Sequence, residues 1–183
     1  MRFRLSAVSV ALFVVVVFAP AAALGAVTNL TATGCKGSSG AESATTSSYH
    51  FVLRVGMPEQ MYTRAQVKKM HPKHGEVMLR GHMNGMGGMS MGGSMRHLEV
   101  QICTRPSNTV IATANPLITV KDESSMGMAA NVPVAVMEGV GAGTADLHYG
   151  NNITMTPGHR YTIRVTLKGQ TAAFHLKVAK AGM

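Results

Sequence analysis

The chain has 183 residues, and the side chains with the most chemical potential are its 8 His, 15 Met and 8 Asp and Glu. In H-L-E-V-Q-I, His97 and Glu99 stand two apart. On an extended strand that spacing turns both to one face, while Leu98, Val100 and Ile102 turn to the other. In D-L-H-Y-G-N-N-I, Asp146 and His148 repeat the arrangement, and Tyr149 points the opposite way. If the two strands lie side by side, imidazoles and carboxylates converge on one cation. Met137 ends V-P-V-A-V-M-E-G, where it serves either as a core residue or as a thioether ligand.

A second element is the loop 81–95, G-H-M-N-G-M-G-G-M-S-M-G-G-S-M. It carries His82, Met83, Met86, Met89, Met91 and Met95 at spacings that fit neither a helix face nor a strand face. Flexible glycine would let several sulfurs meet on a soft ion such as Cu(I). The same residues also suit a low-complexity insertion whose methionines are adaptable surface hydrophobes.

The chemistry these groups share is metal binding. Imidazole and carboxylate hold Cu(II), thioether retains Cu(I), and ferrous iron is compatible with His and carboxylate. Copper is therefore the expected ion and iron the alternative. Two distant cysteines cannot build a closed zinc site, and no acidic cluster suits calcium. Histidine ligands bind when neutral, so affinity is expected to fall as pH drops through about 6.5.

Strands must position these groups. Short runs rich in Val, Ile, Thr and Leu recur from Tyr49 onward: Tyr49–Val55, Tyr62–Lys69, Glu76–Arg80, His97–Thr104, Thr109–Thr113, Leu117–Lys121, Val132–Glu138, Leu147–Met155, Arg160–Leu167 and Thr171–Val178. In the penultimate run Tyr161, Ile163, Val165 and Leu167 alternate with polar residues, the period of a half-buried strand. Gly169 separates the last two runs as a terminal hairpin. The fold class is all-β, an Ig-like antiparallel β-sandwich over residues 49–183.

Residues 1–26 read as a signal peptide: Arg2 and Arg4, then an uncharged apolar stretch, then small residues after Pro20. Residues 27–48, rich in Gly, Ser, Thr and Ala, read as a flexible linker. Cys35 has two roles open to it. T-A-T-G-C resembles a loose lipobox, which would tether the protein to a membrane by lipid, and an oxidising compartment equally permits a disulfide to Cys103. Localisation is thus secreted or at the cell envelope, periplasmic or extracellular.

The 17 Lys and Arg, less Arg2 and Arg4, leave 15 against 8 acids in the exported chain. Aromatic residues are only 5% and the cations are scattered, so nucleic acid is not an expected partner. The densest basic run is Arg64 to Arg80, with Lys68, Lys69 and Lys73. It reads as a solvated face or as one attracted to anionic lipid or wall polymer.

H-L-E-V-Q-I resembles the H-L-E-A-D-I segment of the small periplasmic proteins that accompany bacterial iron permeases. H-Y-G-N-N-I resembles their H-Y-G-x-N segment, and Val132–Gly139 falls where their M-V-A-x-D-G stretch stands. The resemblance covers roughly His97 to Val178. It implies an Ig-like sandwich that binds copper and handles iron through His, Glu and Met, with a membrane permease or metal transporter as partner. His97, Glu99 and His148 match the family's motifs, and Met137 matches its methionine. The family's further histidine has no counterpart, and Asp146-Leu147 replaces its Gly-Pro; the site is then either incomplete or completed by His82 or a loop methionine.

No G-x-S-x-G, H-E-x-x-H or phosphate loop occurs, so no enzyme is expected. The competing function is a non-catalytic Ig-like surface interaction module without metal.

Overall fold

The computed structural model describes residue 35, residues 40–81 and residues 94–179. The leader, His82, Met83, Met86, Met89 and Met91 lie outside the described residues.

The described residues build two sheets from eleven strands: β1 (Glu42–Thr45), β2 (Tyr49–Gly56), β3 (Met61–Thr63), β4 (Glu76–Arg80), β5 (Met95–Thr104), β6 (Leu117–Asp122), β7 (Ala130–Asn131), β8 (Ala135–Gly139), β9 (His148–Thr154), β10 (Arg160–Leu167) and β11 (Gln170–Lys177). The larger sheet runs β1-β2-β5-β9-β8-β4-β3 and the smaller β11-β10-β6-β7. This is the all-β sandwich expected from the alternating runs. Leu98, Val100, Ile102, Tyr149, Phe51 and Leu53 from the larger sheet meet Ile118, Ile163, Val165 and Phe174 from the smaller. The buried Tyr149 hydroxyl is satisfied by donating to the Ile111 carbonyl and accepting from the Ala114 N–H, as a buried polar group requires. The terminal hairpin forms as expected. Lys168 and Gly169 both take positive φ, 47° and 76°, the pair a two-residue type I′ turn needs.

Three sequence expectations are corrected. Tyr62–Lys69 is not a strand: only Met61–Thr63 is extended, and Arg64–Met70 forms helix α1. Thr63 and Gln66 close a reciprocal capping box, and the helix ends at His71 in the left-handed region, where Pro72 disfavours continued helix. The helix has a topological cause as well. β3 and β4 are parallel, and parallel neighbours need a crossover segment between them. Thr109–Thr113 contributes only a single bridge, Val110 to Cys103. The linker 27–48 does not extend to Ser48, because β1 pairs with β2 in the register Glu42 to Leu53. Its small polar residues hide a strand because β1 is an edge strand with little to bury.

Of the two roles open to Cys35, the structure places it in a disulfide with Cys103. Both sulfurs are buried with Val52 on the outer side of the larger sheet.

Candidate metal centre

The site lies on the face of the larger sheet that turns away from the sandwich core. β5 alternates as its sequence dictates: Leu98, Val100 and Ile102 enter the core, and His97 and Glu99 take the opposite face. β9 lies beside it with His97 opposite Asn152 and Glu99 opposite Gly150. His148 shares the face of Gly150 and Asn152, so the two histidines stand on diagonal positions with Gly150 between them. Gly150 has no side chain to obstruct the rings, and a Cβ there would lie 1.7 Å from the Leu98 carbonyl oxygen.

The imidazoles meet. His97 Nε2 and His148 Nε2 are 3.5 Å apart, with the rings edge to face at 88°. Glu76 Oε2, from the first residue of β4, lies 3.5 Å from His148 Nε2. Glu76 stands opposite Gly139 on β8, another position without a side chain, two strands from His148. The three ligand atoms lie within 4.8 Å of one another, and all three residues are buried.

Hydrogen bonds fix both tautomers. Asn152 Oδ1 accepts from the Glu59 N–H at 3.2 Å, and Asn152 Nδ2 donates to the Glu59 carbonyl at 2.7 Å. The amide orientation is thereby set, and Oδ1 can only accept from His97 Nδ1, 2.9 Å away. His148 Nδ1 faces the Asp146 carbonyl at 2.7 Å, which also can only accept. Each ring thus carries its proton on Nδ1 and presents a bare lone pair on Nε2. Among the described residues, Glu76 Oε2 is buried without a hydrogen-bond partner. Two lone pairs and a buried carboxyl oxygen converge here, an arrangement that could hold a cation.

Electrostatics point the same way. Burial pushes Glu76 up to about 8, reinforced by the carboxylates of Asp146, Glu99 and Glu59. Burial pushes His97 down to about 4, and His148 is also lowered by burial. Both shifts favour the neutral imidazole, the state a metal requires. Half of the chain's eight acids, Glu59, Glu76, Glu99 and Asp146, act on this spot, with the Arg54 guanidinium acting against them.

The two printed separations of 3.5 Å match those of ligands sharing one ion. Ligand atoms about 2.1 Å from one ion at a tetrahedral angle stand roughly 3.4 Å apart. His97, His148 and Glu76 would hold the ion, while Asn152 and the Asp146 backbone orient the rings, the usual outer-shell arrangement.

The sequence expectation of His97 and Glu99 on one ion is corrected. Glu99 shares the face of His97, but its carboxylate pairs with Arg54 on β2 at 3.6 Å; Arg54 lies directly opposite it in the ladder. Burial pushes Glu99 up to about 7 despite the guanidinium. Asp146 contributes its backbone carbonyl to His148, and its carboxylate accepts from the Gly139 N–H at 3.1 Å. Met137 is fully buried opposite His148 and beside Met78 across the ladder. It clusters with Met61 and Ala135, and Met78 packs against them. Met61 Sδ is 3.6 Å from Asn152 Nδ2, so thioethers adjoin the cluster. His175 sits in the smaller sheet beside Thr162, apart from these groups.

Glu76 was missed in the sequence. Its one signal is an acid opening an apolar strand in a chain with few acids.

Fold and site together define a β-sandwich carrying a buried cluster of two histidines and one carboxyl. No protein-family model matches the chain, and no curated protein sequence does. Among solved structures it is similar to a DUF4426 family protein from Pseudomonas aeruginosa PAO1, with 11% identity, a TM-score of 0.45, and coverage of 79% of this chain and 98% of that one. It is also similar to FetP from uropathogenic E. coli strain F11, with 14% identity, a TM-score of 0.48, and coverage of 75% and 93%.

Proposed function

We propose that the protein is an exported metal-binding protein that holds one copper ion, with ferrous iron as the alternative, for buffering, delivery or uptake at the cell envelope. The observation that carries this reading is the pair of bare Nε2 atoms 3.5 Å apart beside a buried Glu76 oxygen that has no hydrogen-bond partner among the described residues. Export is supported by the leader-like residues 1–26 and by the Cys35–Cys103 disulfide, since disulfides persist in oxidising compartments. No helix among the described residues is long and apolar enough to cross a membrane.

Copper is favoured on two grounds. Divalent copper outranks the other first-row metals at a nitrogen and oxygen site. The adjoining Met61, Met78 and Met137 offer sulfur that would keep the reduced ion. Met83, Met86, Met89 and Met91 add a soft-metal loop, and a permease or metal transporter is the partner such a carrier requires. The role in this reading is binding without turnover.

The test is competition against a calibrated chelator with Cu(II), Fe(II) and Zn(II). One equivalent of copper is expected to bind, with His97→Ala and His148→Ala each lowering affinity by roughly a hundredfold or more, as loss of a direct ligand exceeds loss of an outer-shell one. Unchanged affinity in both variants would refute the shared site and leave a surface interaction module. Tight iron or zinc binding without copper would keep the site and overturn the choice of ion. Replacing Met83, Met86, Met89 and Met91 by Leu is expected to weaken Cu(I) retention more than Cu(II) binding; equal effects would remove the loop from the mechanism.

A further inference from the structure

Between Gln60 and Gly75 the chain has no acid and carries Arg64, Lys68, Lys69, Lys73, His71 and His74. These residues form α1 and the turn after it. Helix α1 buries none of its residues, and Arg64, Lys68, Lys69, Lys73 and both histidines are exposed. None of the four cations forms an ion pair among the described residues. Met70, in the last helical turn beside Lys69, is 60% exposed. Four like charges gathered on one projecting segment repel one another, and such a face gains most by meeting negative charge.

We infer that this face docks the protein on an anionic lipid surface. Lipid headgroups fit better than an acidic protein on two counts. Three of the four cations are lysines, compact point charges suited to a diffuse anionic layer, whereas specific carboxylate recognition favours the fork of arginine. The segment also has no Trp and a single arginine, Arg64, so it is poor in the anchors that centre protein interfaces, and instead offers an apolar Met70 that can enter the headgroup layer beneath snorkelling lysines. The turn that ends the patch leads directly into Glu76, so docking would hold the histidine cluster close to the membrane. The inference does not depend on the metal reading, because it rests on charge and exposure outside the cluster.

The test is co-sedimentation of the exported protein with phosphatidylethanolamine vesicles made with and without phosphatidylglycerol. Binding is expected only with the anionic lipid and is expected to fall with added salt. Lys68→Glu, Lys69→Glu and Lys73→Glu together should reduce binding roughly tenfold, whereas Arg160→Glu, Arg164→Glu and Lys177→Glu, an equal reversal on the exposed face of the smaller sheet, should reduce it about twofold at most. The milder pair Lys68→Gln and Lys69→Gln should move binding in the same direction, and melting curves establish that each variant is folded. Equal loss in both reversals would mean attraction by net charge alone and overturn the inference. Binding to polyglutamate without binding to vesicles would assign the face to an acidic protein and overturn it equally.

Discussion

Glu76 is the residue on which the pH behaviour of the site turns. Histidine ordinarily sets the pH limit of such a site near 6.5, but burial has pushed His97 down to about 4, so the imidazoles are ready at any neutral pH. The proton that a metal must displace sits on Glu76, whose carboxyl is held up to about 8. Affinity is therefore expected to climb about tenfold per pH unit from 6.5 up to 8 and then level, with one proton released per ion at pH 7. Glu76→Gln should bind more weakly and without that slope; a wild-type profile flat above 7 would contradict this. Asn152→Ala removes the acceptor that sets the His97 tautomer and is expected to lower affinity roughly 10–100-fold, as read by the same chelator competition. His97 and His148 were legible because a period of two on a strand reveals a shared face. Glu76 was not, because nothing near it in sequence shows that β4 lies two strands from β9.

At the scale of elements, the cluster depends on how closely β5 and β9 approach. Gly150 faces Glu99 across that ladder, and any Cβ would collide with the Leu98 carbonyl. Gly150→Ala is expected to force the strands apart, lower the melting temperature by several degrees and weaken metal binding in the same variant. Retained stability with retained affinity would show the approach to be dispensable. The strands themselves were largely readable from alternation, since half-buried strands must alternate. Helix α1 was not. It spans two turns, too short for a periodic signal, and its capping box at Thr63 and Gln66 is a local cue that the neighbouring Tyr62 and Val67 obscured by suggesting a strand. Glu99 was misread because strand parity gives the face of a side chain and not its partner. Arg54 on β2 claims it.

At the scale of the whole molecule, the site lowers the stability of the metal-free fold in a pH-dependent way. Glu76 binds its proton up to about 8 when folded and only to about 4.5 when unfolded. Between those values the folded state holds the extra proton, and stability falls as pH rises. His97, lowered from 6.5 to about 4, acts oppositely below 6.5 and is silent above it. The metal-free melting temperature is therefore expected to drop from pH 6.5 to 8, and Glu76→Gln should flatten the decline. Saturating metal should raise the melting temperature most at the upper end of that range, through binding to the folded state. Replacing both Cys35 and Cys103 by Ser should cost about 2–5 kcal/mol in denaturant unfolding, since the bridge joins positions 68 apart in sequence.

What the sequence determined is the part of the protein written in local periods: strands that alternate, a hairpin turning at Gly169, and two histidines each sharing a strand face with an acid two residues away. Local chemistry could go no further, because alternation fixes a face and says nothing of which strand lies alongside. Strand order and register were decided only by tertiary packing, which inserted β8 between β4 and β9, left Gly139 and Gly150 bare, and brought the Glu76 carboxyl to rings 21 and 72 positions further along the chain.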